Sequence, residues 1–280
     1  LGLVTRPGEP DTLPYSPVTL ADFEREFCDD RFWGRSGERF SGDARFLVSA
    51  LRSLCGARAA RAFDIEVFDL AARLYPADNL ADKRAILTPH WWDAEERAFL
   101  AETIKSGRGL FRFADVGANS GLYTLYAKSA AAAAGRAFAA ICVEPDPTMA
   151  DRLAFNLAAN GLQGEARIVR AAAAAADGTL RLAVDPARRG STRIDAAGAI
   201  EVAAAPLAAL LMGELYDALK IDIEGGETAA LGAYFAATRE ALRPRLILAE
   251  LAHDGDGALQ RLIDDRDRLA PLRALRSRLH

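Results

Sequence analysis

The chain predicts an α/β fold, a doubly wound and mostly parallel sheet, behind a mostly helical N-terminal segment. Three observations lead there. Short apolar runs alternate with amphipathic stretches from Leu110 to Leu251, the rhythm of a parallel sheet covered on both faces. Phe113-Ala114-Asp115-Val116-Gly117-Ala118-Asn119-Ser120-Gly121 joins an apolar run to a helix (Leu122, Leu125, Tyr126) through a tight turn of small residues. Strand, turn and helix in that order open a nucleotide-type βαβ unit. Finally, the apolar runs end on acids: Asp115, Glu144, Asp222 with Glu224, and Glu250.

The elements follow in order. Leu1 to Pro17 is rich in proline and reads as an extended arm, and Thr19-Leu20-Ala21-Asp22 opens a short helix ending near Cys28. Helical spacing recurs over Asp43 to Cys55 and again over Ala59 to Leu74, through Phe63, Val67, Leu70, Ala71 and Leu74. Pro76 and Asn79 break the chain, and Ala85-Ile86-Leu87-Thr88 reads as a short strand. Residues 1–88 are therefore expected to form a helical extension and 89–280 the ligand-binding domain. A helix from Trp91-Trp92-Asp93 to Ile104 closes at Gly107 and Gly109.

Parallel strands are expected at Leu110 to Val116, Ala137 to Val143, Ala166 to Val169, Ala218 to Ile223 and Arg245 to Leu251. Asp146-Pro147 starts a helix that Asn160-Gly161 stops. Asp177-Gly178 turns into a hairpin over Thr179 to Val184, with a further strand at Ile200 to Ala204, and a helix starts at Glu227. The Ala171 to Ala176 tract is ambiguous.

Composition excludes several classes of function. With 280 residues, 51% apolar and 26% charged, the chain has the profile of an ordinary globular protein with a large core. A net charge of −4 argues against nucleic-acid or anionic-membrane partners. Cys28, Cys55 and Cys142 are scattered without a C-x-x-C pair, which argues against a disulfide framework or zinc site and fits a reducing cytoplasm. Ala130 to Val143, the longest apolar stretch, is broken by Gly135 and Arg136 and is too short to span a bilayer. No basic-then-apolar signal pattern opens the chain. Oligomeric state has no readable signal, and the N-terminal extension suits a lid, a substrate contact or a homodimer contact.

In a doubly wound sheet, ligands bind outside the carboxyl ends of the strands where the strand order reverses. The turn departs from the G-x-G-x-x-G of dinucleotide binders because Asn119 takes the middle glycine, a residue that tolerates positive φ. A pyrophosphate disfavours a nearby carboxylate, whereas Asp115 suits a cationic or hydroxyl-bearing ligand such as the sulfonium S-adenosylmethionine (SAM). Glu144, ending the neighbouring strand, suits ribose hydroxyls; the bland alternative is a solvated loop acid.

Lys220-Ile221-Asp222-Ile223-Glu224 alternates charged and apolar residues, which puts Lys220, Asp222 and Glu224 on one strand face at the cleft. For Lys220 the alternative is a structural ion pair. Glu227 is expected to serve the next helix's positive end. His253 is a candidate general base, against the commoner case of an inert loop histidine. Asp222 and Glu250 on adjacent strands suit Mg²⁺, a reading weakened by the lack of a third ligand. Ser191 and Thr192 line the substrate side, beside Arg188 and Arg189 as surface charges.

Asp115-Val116-Gly117-Ala118-Asn119-Ser120-Gly121, Val143-Glu144-Pro145-Asp146-Pro147, Asn156-Leu157-Ala158-Ala159-Asn160 and Lys220-Ile221-Asp222-Ile223-Glu224-Gly225-Gly226-Glu227 together resemble the FkbM-type SAM-dependent methyltransferases. The resemblance covers about Asp93 to Glu250. It implies a Rossmann-like class I methyltransferase fold and methyl transfer to an oxygen, typically a hydroxyl of a small molecule or sugar. Carried over, Asp115, Gly117, Asn119 and Gly121 hold the methionine part of SAM, and Glu144 the ribose. Asp222 is the first choice for the acceptor side, with Lys220, Glu224 and His253 behind it. Where that fold adds an antiparallel hairpin after its fifth strand, Ala258 to Leu279 here reads as helix. Three other readings stay open: an N-methyltransferase, a SAM-binding interaction module without turnover, and a nicotinamide dehydrogenase. Asn119 and Asp115 count against the last.

Overall fold

The computed structural model describes residues 62–87, 89, 92–185, 189 and 192–249. Glu250, His253, Ser191, Arg188, and the helices expected at Thr19 to Cys28, Asp43 to Cys55 and Ala258 to Leu279 lie outside the described residues. The described residues fall into two units, the first containing 62–87, 89, 92 and 189, the second 93–185 and 192–249.

The first unit corrects two expectations. Residues 63–74 are an antiparallel hairpin, β1 (Phe63–Val67) and β2 (Leu70–Leu74), and not a helix. Phe63, Ile65 and Val67 also satisfy a period of two, and the β-branched pair favours the strand. Both turn residues, Phe68 and Asp69, are left-handed (φ 55° and 60°), as a two-residue hairpin needs. A buried pair locks the register: Arg73 Nε and Nη2 donate to the two Asp64 carboxylate oxygens at 2.5 and 2.6 Å, with Asp64 and Arg73 directly opposite. Ala85 to Leu87 belong to helix α1 (Leu80–Leu87), not to a strand. Asn79 is the reason, because its side-chain oxygen accepts from the Ala81 N–H at the helix start. Arg189, expected as a surface charge, stands 3.8 Å from Asp78.

The second unit starts with α2 (Ala94–Ser106), then β3 (Phe111–Val116), α3 (Leu122–Ala133), β4 (Phe138–Val143), α4 (Pro147–Ala159) and β5 (Ala166–Val169). After an inserted second sheet come β10 (Ala218–Ile221), α6 (Glu227–Ala237) and β11 (Leu246–Ala249). Five parallel strands stand in the order β11-β10-β3-β4-β5. The chain leaves β3 towards β4 and β5 and later returns to the other side of β3, so the switch point lies between β3 and β10. The expected doubly wound parallel sheet is what the structure shows.

Both faces are buried, which explains the near-continuous apolar runs. Ala114, Val116, Leu219, Ile221, Ile247 and Ala249 pack on one side with Leu231, Tyr234 and Phe235 of α6. The opposite face carries Phe111 and Phe113, fully buried and stacked at 6.3 Å, each stabilising the fold by about 2–3 kcal/mol. Asp115, Cys142 and Lys220 lie on that same face, side by side across β4, β3 and β10. Among the described residues no helix is long and apolar enough to cross a membrane.

The inserted sheet was only half visible in the sequence. Its strands are β6 (Ala172–Ala174), β7 (Gly178–Ala183), β8 (Arg193–Ile194) and β9 (Ile200–Pro206), in the order β6-β9-β7-β8. A short α5 (Leu207–Leu210) leads from it toward β10. The ambiguous alanine tract is a strand because β9 offers it a parallel partner, a tertiary pairing that outweighs alanine's helix preference.

Arg136 anchors the entrance to β3. Its buried guanidinium donates to the carbonyls of Ile104 (2.8 Å), Leu110 (3.1 Å) and Gly109 (3.2 Å), closing the end of α2 and the loop beyond. It lies over the Phe111 ring and 3.7 Å from Asp217. Arg136→Met keeps the stem but takes the shared donor from the Ile104, Gly109 and Leu110 carbonyls, and is expected to destabilise the protein by about 2 kcal/mol. Urea denaturation checks this; a midpoint unchanged from wild type would show that the carbonyls find water instead.

Candidate functional site

The site grows from one backbone crossing. Gly117 follows β3 in the left-handed region (φ 72°), and a Cβ there would lie 1.8 Å from the carbonyl oxygen of Asp222. No other residue type fits so close an approach. The two strand ends are stitched together: the Asp222 N–H donates to Val116 O at 3.0 Å, and the Gly117 and Ala118 N–H groups share Val143 O at 2.9 and 3.1 Å. Asn119 holds φ 53° and its side chain accepts from the Ser120 N–H at 2.7 Å. Gly121, at φ 90°, leaves the room that Leu153 of α4 takes, and Asn156 of α4 donates to Ser120 O at 2.8 Å.

Glu144 is buried after β4 and clips two loops together. One carboxylate oxygen accepts from the Asn119 N–H and the other from the Asp146 N–H, both at 2.8 Å. Asp146 in turn caps α4, accepting from the Thr148 N–H at 2.8 Å. Burial pushes the Glu144 carboxyl up to about 7, against the downward pull of the two N–H groups and of Lys220.

Asp115 lies sealed beneath the turn. Thr124 donates to one of its oxygens at 2.7 Å, while the other is buried with no hydrogen-bond partner among the described residues. Its pKa is raised by burial, with Lys220 and Thr124 opposing. Thr124 also contacts the Cys142 sulfur at 3.2 Å, and burial holds that thiol above its ordinary range. Lys220 neighbours Asp115 across the strands, donates to Gly117 O at 2.9 Å and stands 3.4 Å from an Asp222 carboxylate oxygen.

The reading of Lys220, Asp222 and Glu224 as one strand face needs correction. β10 ends at Ile221, so of the three Lys220 alone is on the strand, and Glu224 turns left-handed at φ 57°. Glu227 makes that turn: its carboxylate accepts from the Ile223 N–H at 2.7 Å and the Gly225 N–H at 3.0 Å. The structure thus gathers Asp115, Gly117, Asn119, Gly121, Glu144, Lys220 and Asp222 around the switch point, with Glu224 in the same turn as Asp222. Among the described residues no group of three or more His, Cys, Asp or Glu side chains is arranged to hold a metal.

Two residues escaped the sequence reading. Tyr123 lies with its ring 5.4 Å from the Lys220 ammonium and donates its hydroxyl to Asp93 at 3.0 Å. Thr124 is the partner of Asp115. Their place in the first turn of α3, directly after the small-residue turn, was the available signal.

Comparison with known proteins comes to the same region. The family model described as the methyltransferase FkbM domain matches residues 115–270, more than half of the chain. A solved structure of a methyltransferase FkbM from Methylobacillus flagellatus KT is similar at 14% identity and a TM-score of 0.43. The similarity covers 68% of this chain and 49% of that one, so the chain spans about half of that protein's length. Comparison with curated proteins yields no match.

Gly117→Ala places a methyl group inside the Asp222 carbonyl and strains a positive φ. A loss of about 3 kcal/mol or more in urea denaturation is expected, the sum of the left-handed penalty and overpacking. Wild-type stability in this variant would mean that the crossing opens freely.

Proposed function

This chain belongs to the FkbM methyltransferase family, and we propose that it is a SAM-dependent enzyme that methylates an oxygen, the hydroxyl of a small molecule or a sugar. The observation that carries the donor assignment is the gathering of Asp115, Glu144 and Asp222 around one turn. Three carboxylates repel a pyrophosphate and attract a sulfonium that carries an ammonium tail.

The residues present fit that donor. The Asp115 oxygen without a hydrogen-bond partner among the described residues lies beneath the turn, where Lys220 offsets only part of the acidic charge that Asp115, Glu144 and Asp222 bring to it. Each Glu144 oxygen accepts one N–H and keeps a lone pair for a hydroxyl. In this reading Asp115, Gly117, Asn119 and Gly121 hold the methionine end and Glu144 the ribose. SAM, when bound, supplies an electrophilic methyl group that an acceptor oxygen displaces in line.

Asp222 takes the acceptor's proton. Its side chain is 41% exposed just beyond β10, so an incoming hydroxyl can reach it. Glu224, one step along the same turn, is the second acid within that region. Lys220 has no such role: burial opposes its charge, but Asp222 and Asp115 outweigh that and raise its pKa, and an ammonium has no lone pair. Rigid strand ends and the Glu227-held turn supply orientation, which lowers the barrier without further chemistry.

Calorimetry with SAM and S-adenosylhomocysteine, followed by labelled-methyl transfer to hydroxyl- and amine-bearing acceptors, tests the proposal. Binding of neither compound removes the donor assignment, and methylation of amines alone removes the oxygen. Asp222→Asn removes one of the three attracting charges and is expected to weaken SAM binding only a few-fold while kcat falls about 10²–10⁴-fold; a loss of affinity as large as the loss of kcat would move Asp222 to the donor side.

Glu144 gives a pH signature. It accepts from ribose hydroxyls as an anion, and its raised pKa of about 7 puts the required deprotonation in the neutral range. Donor affinity should rise as pH increases through 7 and level off above it, changing up to about tenfold per unit on the acid side. A calorimetric titration that is flat across this range would place the ribose elsewhere.

A further inference from the structure

Lys220 sits where a central strand of a parallel sheet ordinarily carries an apolar residue. It is buried at 7% exposure, next to Ala218, Leu219 and Ile221, which are fully buried. A buried ammonium is costly, and an apolar side chain of similar volume is often at least as stable in such a place. Core packing is therefore a poor explanation for it, and its partners offer a better one.

The ammonium touches both strands of the switch point. Nζ donates to Gly117 O at 2.9 Å, on the turn after β3, and faces the Asp222 carboxylate at 3.4 Å, after β10. Titratable groups face it from every side. Asp115 comes from β3, Tyr123 from α3 with its ring at 5.4 Å, Glu144 from the end of β4, Asp222 from the end of β10 and Asp93 from the head of α2. The Gly117 carbonyl is fixed to the Lys220 ammonium by a charge-assisted hydrogen bond, stronger than one between neutral groups.

We propose that Lys220 is a positioning residue: with one ammonium it binds the Gly117 carbonyl and the Asp222 carboxylate, and so fixes the spacing between the donor-binding turn and the acceptor-side acid. This rests on the placement of SAM at the turn and of the acceptor at Asp222 proposed above. The group acts through its two partners and exchanges no proton with substrate. Its charge also favours the ionised forms of Asp115 and Glu144, so the geometry and the electrostatics of the switch point depend on the same atom.

Lys220→Met keeps the stem and removes the charge and the hydrogen bond. Amide hydrogen exchange on the unliganded variant is the direct test. Segments 117–121 and 222–226 should exchange together about tenfold faster than in wild type, while β4 and α4 keep their protection. Affinity for S-adenosylhomocysteine should fall about tenfold, and the acid side of its pH profile should move to higher pH, because the carboxylates lose the cation that favours their ionised form. Exchange unchanged in both segments overturns the proposal, and so does a uniform acceleration across the whole sheet, the mark of a merely structural role. If Lys220→Met does not fold, Lys220→Leu, which also lacks both the charge and the donor, carries the same test. Because exchange needs no ligand, a wild-type protein that binds neither SAM nor S-adenosylhomocysteine would defeat the functional proposal while the exchange rates still judge Lys220.

Discussion

The rest of the second unit depends on how closely two backbones meet at the switch point. Gly117 and the Asp222 carbonyl occupy a space that admits no Cβ, which brings the turn after β3 against the end of β10. From that approach follow the neighbouring of Lys220 and Asp115, the reach of the ammonium to Gly117 O, and the exposure of Asp222 at the strand mouth. A doubly wound sheet always opens a crevice where its order reverses. Here the glycine makes that crevice narrow at its base.

Acids do two kinds of work around the crevice. Glu144 and Glu227 each use both carboxylate oxygens on backbone N–H groups: Glu144 ties one loop to another, Asn119 to Asp146, and Glu227 holds a single turn, from Ile223 to Gly225. Such bonds to a charged acceptor contribute about 1.5–3 kcal/mol each and hold irregular backbone where no ladder can. Asp115 and Asp222 are differently placed, one sealed under the turn beside the buried ammonium and one at its rim. The clip acids give the turns a fixed shape; the other two give the fixed shape its charge.

The sequence made the parallel sheet legible because each strand was an apolar run and each helix had a chemical start or stop, such as Asp146-Pro147 and Asn160-Gly161. The glycine-and-asparagine turn was equally readable, since positive φ restricts residue choice. What was not readable depended on partners distant in sequence. Phe63 to Leu74 fits a helix and a hairpin equally well by spacing, and its turn, Phe68-Asp69, lacks the Asn-Gly or Asp-Gly pair that announces a hairpin. The strand at Ala172–Ala174 exists because β9 lies alongside it. At the site, strict alternation through Glu224 was a sound inference until Glu227 bent the chain after Ile221. Tyr123 and Thr124 carry no motif; only the packing of α3 on the sheet shows what they touch.

Charge balance at the switch point ties the shape to the chemistry. Among the described residues, Asp115, Glu144, Asp222 and Asp93 outnumber the Lys220 ammonium they face. Burial is the largest influence on Asp115 and Glu144 and raises the pKa of both; for Glu144, raised to about 7, part of the negative charge is suppressed by bound protons near neutrality. A cation entering the crevice favours the ionised forms and is accommodated by release of those protons; a neutral molecule of the same shape gains no such compensation. Methyl transfer turns a sulfonium into a neutral thioether. On the functional reading proposed here, an acid-rich crevice with one fixed ammonium therefore distinguishes donor from spent donor by charge alone, with the turn contributing the same hydrogen bonds to each.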